Sequence, residues 1–131
     1  VIAAVLAALT AAVANSLIRI AALTAGAEPS VGGMNEGAVL SLTVGGAVVG
    51  AVGWWFFVRF SRSSRRVLSI LVPVVFVLSL GPLLAGGLAA GTPATWTAMI
   101  GLAIMHLVTI VLAVLLYRRF IRPTTTPAVA Q

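Results

Sequence analysis

Four long apolar runs occupy nearly all of this 131-residue chain: Val1–Leu23, Gly37–Phe60, Val67–Ala90 and Ala94–Tyr117. About 20 consecutive apolar residues cross the hydrocarbon of a bilayer as a helix. Each run reaches that length, so the chain is expected to fold with lipid as its solvent. Charged residues are only 8% of the sequence, against about 25% in a soluble domain. That leaves too little polar surface to cover a water-soluble particle. The expected architecture is all-α: a four-helix transmembrane bundle spanning residues 1–122, followed by a flexible cytoplasmic tail at 123–131 rich in Thr, Pro and Ala.

The net charge of +6 comes from arginine alone, and its placement matters more than its size. Arg59, Arg62, Arg65 and Arg66 flank one short loop, and Arg118, Arg119 and Arg122 follow the last run. Positive charge collects on the cytoplasmic side of membrane proteins. Both termini are therefore expected inside, with the loop around residues 61–66. The 24–36 segment, with Glu28, Glu36 and Gly32-Gly33, and the turn at 91–93 are expected outside. Nucleic-acid binding calls for a basic face on a soluble module, which this pattern does not offer. With no cysteine, disulfide, thiolate-metal and thiol redox chemistry are excluded.

The chain opens at Val1 inside an apolar run, so further residues are expected before it. Ala25-Gly26-Ala27 has the form of a signal cleavage site, but Asn15 and Arg19 interrupt the preceding run, which favours a retained span.

Small residues recur at helical spacing. Run one has Ala4, Ala8, Ala11 and Ala12 ahead of Asn15 and Arg19; run two has Gly46, Gly50 and Gly53. Small side chains let helices approach closely in lipid. Packing within the chain is the favoured reading, and a homodimer seam the other. Trp54-Trp55-Phe56-Phe57 suits the membrane interface, with ligand stacking as the alternative. Pro73 and Pro82 each remove a backbone donor and can kink run three, which either improves packing or opens a cavity near Ser79.

A few polar residues remain inside the runs. His106 stands 12 residues before Arg118, about 18 Å at 1.5 Å per residue, near the bilayer centre. Ser79 stands 13 residues beyond Arg66, about 20 Å on the same scale. Asn15 lies at a similar depth in run one. Three helices therefore bring Asn, Ser and His to one level. They can form a hydrogen-bonded knot that holds the bundle in register. His106 also suits a proton relay or an acid–base catalyst. A lone histidine without cysteine or a nearby acid gives little basis for a metal or haem site, and no cofactor is expected. Arg19 follows Asn15 by one helical turn, on the same face. It can snorkel to the headgroups, pair with Glu28 or Glu36, or hold an anion with its guanidinium.

Three segments carry a family resemblance: Ala14-Asn15-Ser16-Leu17-Ile18-Arg19, Leu78-Ser79-Leu80 with Pro82, and Ile104-Met105-His106-Leu107-Val108. With them the chain resembles an uncharacterised family of small actinobacterial membrane proteins with four spans. The resemblance implies a multi-pass protein of a bacterial plasma membrane and brings no activity with it. Small multidrug transporters have a similar size but rely on a membrane-embedded Glu in the first span, which is absent here. The Gly-Arg and Phe signatures of small fluoride channels are also not recognisable.

The residues taken together point to binding or transport of a small amphiphilic or anionic molecule between the helices. In that reading Arg19 is the anion anchor and Asn15, Ser79 and His106 form a polar floor. Passage across the membrane favours a homodimer. Two alternatives stand beside it. One is a membrane enzyme using His106 on a lipid or terpenoid-like substrate. The other is an accessory or scaffold subunit without a ligand.

Overall fold

The structure, a computed structural model, describes residues 1–31, 34–61 and 64–121, with the side chains of residues 64, 65, 82–84 and 86–90 left out. The readings attached to Gly32-Gly33, Arg62, the Arg65 and Pro82 side chains, Arg122 and the 123–131 tail lie outside the described residues. The protein is all-α, built from α1 (Ile2–Thr24), α2 (Glu36–Phe60), α3 (Ser64–Ala90) and α4 (Pro93–Phe120). Three of these, α1, α2 and α4, are long and apolar enough to cross a membrane; within α3 the apolar helix counted over described residues is Arg66–Gly81. α3 continues as helix through both Pro73 and Pro82.

Local chemistry sets the helix ends. Asn35 caps α2 by accepting from the Ala38 N–H at 2.7 Å, and Glu36 in the first turn complements the helix dipole. Thr92 caps α4 by accepting from the Thr95 N–H at 3.2 Å. Pro93 follows at the first helical position, where its missing N–H costs nothing. α1 closes with the Ala27 N–H on the Ala22 carbonyl and the Gly26 N–H on the Leu23 carbonyl. This is a Schellman pair, and it needs the left-handed backbone of Gly26, at φ +90°.

α1 shares its most extensive seams with α4 and α2, and α3 meets only α4 and α2 among the described residues. The buried face of α1 runs Ala3, Ala7, Ala11, Asn15, with Ala8 alongside. A spacing of four keeps these residues on one side of the helix. One apolar cluster gathers Ala7, Ala47, Ala51, Trp54, Leu68 and Tyr117. A second joins Ala27, Met34, Val39, Ala98, Leu102 and Met105. The loop after α1 belongs to the second cluster. Met34 is fully buried, and the Glu28 N–H donates to the Ala94 carbonyl at 3.2 Å. Gly101 makes room for this loop: a methyl group there would stand 2.9 Å from both Ala22 Cβ and Met34 Cε.

Large apolar side chains point outward all round, including Leu9, Leu17, Val49, Val77 and Leu78. In water that surface would associate or aggregate. In hydrocarbon it is the ordinary exterior of a bundle, so the protein is a membrane protein.

Candidate functional site

Between the two apolar clusters lies a polar crossing point. Asn15 is 3% exposed. Its Nδ2 donates to Thr43 Oγ1 on α2 at 2.8 Å and to Thr109 Oγ1 on α4 at 2.9 Å. One amide therefore ties three helices at a single level. Its Oδ1 is buried without a hydrogen-bond partner, which costs about 1–3 kcal/mol in such a setting.

This crossing point forms part of the wall of a cavity of about 480 Å³ between α2, α3 and α4, open on one side, with Asn15 the contribution of α1 among the described residues. The walls are mostly apolar, and the polar groups along them include Asn15, Thr43, Thr109, Ser79 and His106. A cavity of this size suits a small molecule.

The glycines of α2 explain why there is space. Gly46, Gly50 and Gly53 all line the cavity. A methyl group added to Gly46 or Gly53 would meet nothing within 4 Å. Their small size holds volume open instead of bringing helices together. Gly50 does both, because its added methyl would sit 3.4 Å from the Tyr117 ring. Tyr117 donates its hydroxyl to the Ala47 carbonyl, and its ring tilts against Trp54 at 5.9 Å. Trp54 Nε1 is a second buried group without a partner. The aromatic run splits accordingly: Trp54 and Phe57 line the cavity, while Trp55 and Phe56 face outward and stack with Phe60.

Three of the four site residues singled out in the sequence, Asn15, Ser79 and His106, border this cavity. They do not bond to one another. The Ser79 hydroxyl donates to the Phe76 carbonyl at 2.7 Å, and His106 Nδ1 lies 2.9 Å from the Leu102 carbonyl. A carbonyl can only accept, so Nδ1 carries the proton of that bond. The lone pair of the neutral ring is then on Nε2. Arg19 stands apart from the cavity. Its Nε donates to the Met34 carbonyl at 2.7 Å, which fastens the loop after α1. Glu28 accepts from Ser30 instead.

Thr43, Thr109 and Tyr117 went unnoticed as site residues in the sequence, while Trp54 was read there as an interfacial residue with ligand stacking as the alternative. Counting the depth of every hydroxyl in the spans, rather than of Ser79 alone, would have found both threonines. Among the described residues no group of three or more His, Cys, Asp or Glu could hold a metal ion. No family model matches the chain, and no curated protein or solved structure matches it.

Proposed function

We propose that this protein binds a small amphiphilic molecule within the bilayer, in the cavity between α2, α3 and α4. A single observation carries the reading: a mostly apolar cavity of about 480 Å³ whose lining gathers a few polar residues, Asn15, Thr43, Ser79, His106 and Thr109. An apolar body would fill the space and a polar head would meet the Asn15 level. Arg19 engages a backbone carbonyl away from the cavity, which favours an uncharged head over an anionic one. The arginine clusters support an orientation with both termini in the cytoplasm. The resemblance to the actinobacterial four-span family supports residence in a bacterial plasma membrane.

The test uses two neighbouring glycines. Gly46 lines the cavity and Gly45 does not, and neither has anything within 4 Å of an added methyl. Native mass spectrometry of the purified protein should detect a retained amphiphile in wild type and in Gly45→Leu. Gly46→Leu fills the cavity and should lose it. Equal retention in both variants would refute the cavity as the binding site.

A second reading rests on His106. Its Nε2 lone pair belongs to a residue on the cavity wall and can accept a proton from a bound molecule. Product analysis after incubation with lipid extracts, comparing wild type with His106→Gln, decides between binding and turnover.

A further inference from the structure

One end of the bundle carries a charge that the chain itself does not neutralise. Arg59 lies in the last turn of α2, Arg66 is the third residue of α3, and Arg118 and Arg119 lie in the last turn of α4. These helix ends meet: Val58, Leu68 and Tyr117, each within two residues of one of the arginines, pack in a single apolar cluster. All four arginines are exposed. In sequence, Arg62, Arg65 and Arg122 flank the same helix ends.

Both acids of the sequence, Glu28 and Glu36, belong to the opposite end. Glu36 opens α2, 23 residues before Arg59, about 34 Å of helix. At physiological salt the Debye length is about 8 Å, so the acids do not reach the arginines. The helix poles do not help. α2 and α4 end here with about half a negative charge each, and α1 and α3 begin here with about half a positive charge each. The four cancel.

The counter-charge therefore comes from outside the chain, and the neighbours of the arginines indicate its source. Phe60 and Phe120 directly follow Arg59 and Arg119 and are 66% and 47% exposed. Trp55, one helical turn before Arg59, is exposed as well. Aromatic rings of this kind sit in the interfacial layer of a membrane, so arginines beside them stand at the depth of lipid phosphates. A guanidinium holds a phosphate with two parallel N–H bonds. A soluble acidic partner would have to cover the rings to reach the arginines. A phospholipid offers phosphate to the arginine and acyl chain to the ring. A zwitterionic lipid brings its own cation and relieves no net charge, whereas an anionic one does.

We infer that this end of the bundle binds anionic phospholipids, with Arg59, Arg66, Arg118 and Arg119 as the phosphate-binding residues. The surface is separate from the cavity, and the inference does not depend on what the cavity holds.

The test uses the full chain in uncharged detergent micelles, with dioleoylphosphatidylglycerol and dioleoylphosphatidylcholine as probes and native mass spectrometry as the readout. Phosphatidylglycerol should be retained about 5-fold or more over phosphatidylcholine, the factor that one arginine contributes at an anionic membrane surface. Added salt should lower that ratio. Combining Arg59→Gln, Arg66→Gln, Arg118→Gln and Arg119→Gln should lower it several-fold. Arg19→Gln, which removes a charge at the other end, should leave it unchanged. The wild-type comparison stands even if the combined variant does not fold. Equal retention of the two lipids by wild type overturns the inference. A drop in Arg19→Gln as large as in the combined variant also overturns it, by moving the lipid to the other end. Stronger retention of poly-glutamate than of phosphatidylglycerol, at equal total charge, overturns it in favour of an acidic polypeptide.

Discussion

Gly46 and Gly101 both sit inside helices, yet the same substitution should move stability in opposite directions. Replacing glycine by alanine within a helix stabilises it by about 1 kcal/mol, because the backbone has less freedom to lose. At Gly46 nothing lies within 4 Å of the new methyl, so that gain should be kept. At Gly101 the methyl would stand 2.9 Å from Ala22 Cβ and from Met34 Cε. That is short of ordinary carbon contact by roughly 0.6 Å or more. Met34 is flexible at its tip, although fully enclosed. Ala22 Cβ is fixed to the α1 backbone, so relief there requires α1 and α4 to separate. Overpacking of this kind costs about 1–3 kcal/mol. After the helix gain, Gly101→Ala should lose about 0–2 kcal/mol and stand about 1–3 kcal/mol below Gly46→Ala. Denaturant unfolding in mixed micelles, followed by tryptophan fluorescence, measures the difference. If both variants gained equally, α1 and α4 could not be as close at Gly101 as described.

Three further outcomes are expected. Asn15→Leu removes two interhelical hydrogen bonds, each worth about 0.6 kcal/mol on average in a membrane. Removing the unpartnered Oδ1 returns about 1–3 kcal/mol, so unfolding in micelles should read between no change and a gain of about 2 kcal/mol; a loss above about 2 kcal/mol would refute the isolation of Oδ1. Tyr117→Phe keeps the ring against Gly50 and Trp54 but loses the bond to the Ala47 carbonyl. The same assay should read a loss of about 0.5–1.5 kcal/mol. Because the chain has no cysteine, Ser61→Cys and Ser30→Cys can each be labelled alone in intact cells with a membrane-impermeant maleimide. Ser30→Cys should react and Ser61→Cys should not; the reverse pattern would invert the orientation read from the arginines.

The helices were legible in the sequence because lipid asks for one simple property, an uninterrupted apolar run. The starts of α2 and α4 fall within a residue of the expected spans, but α3 begins three residues earlier, at Ser64, and α4 continues through Arg118 and Arg119 to Phe120. Asn15 was legible because an amide in an apolar run has few alternatives to a partner in another helix. Its actual partners were harder to see. A threonine in a helix can satisfy itself on the preceding turn, as Thr10 does, so Thr43 and Thr109 resemble any other span residue. The glycines of α2 were ambiguous for a different reason. Close packing and open volume both require a missing side chain, and only the neighbours tell them apart. Gly50 meets Tyr117, whereas Gly46 and Gly53 meet nothing. Arg19 ends on the carbonyl of Met34, a partner every residue possesses and no sequence advertises.

The uneven attachment of α3 has a consequence for traffic. α1 is fastened to α4 and α2 along long seams, while α3 touches only α2 and α4 among the described residues, with much of its described surface, Ile70 and Val77 among it, turned outward. Among the described residues, widening the crevice by displacing α3 breaks fewer contacts than displacing any other helix. A hydrophobic guest would then enter and leave sideways, straight from the leaflet, without ever crossing water.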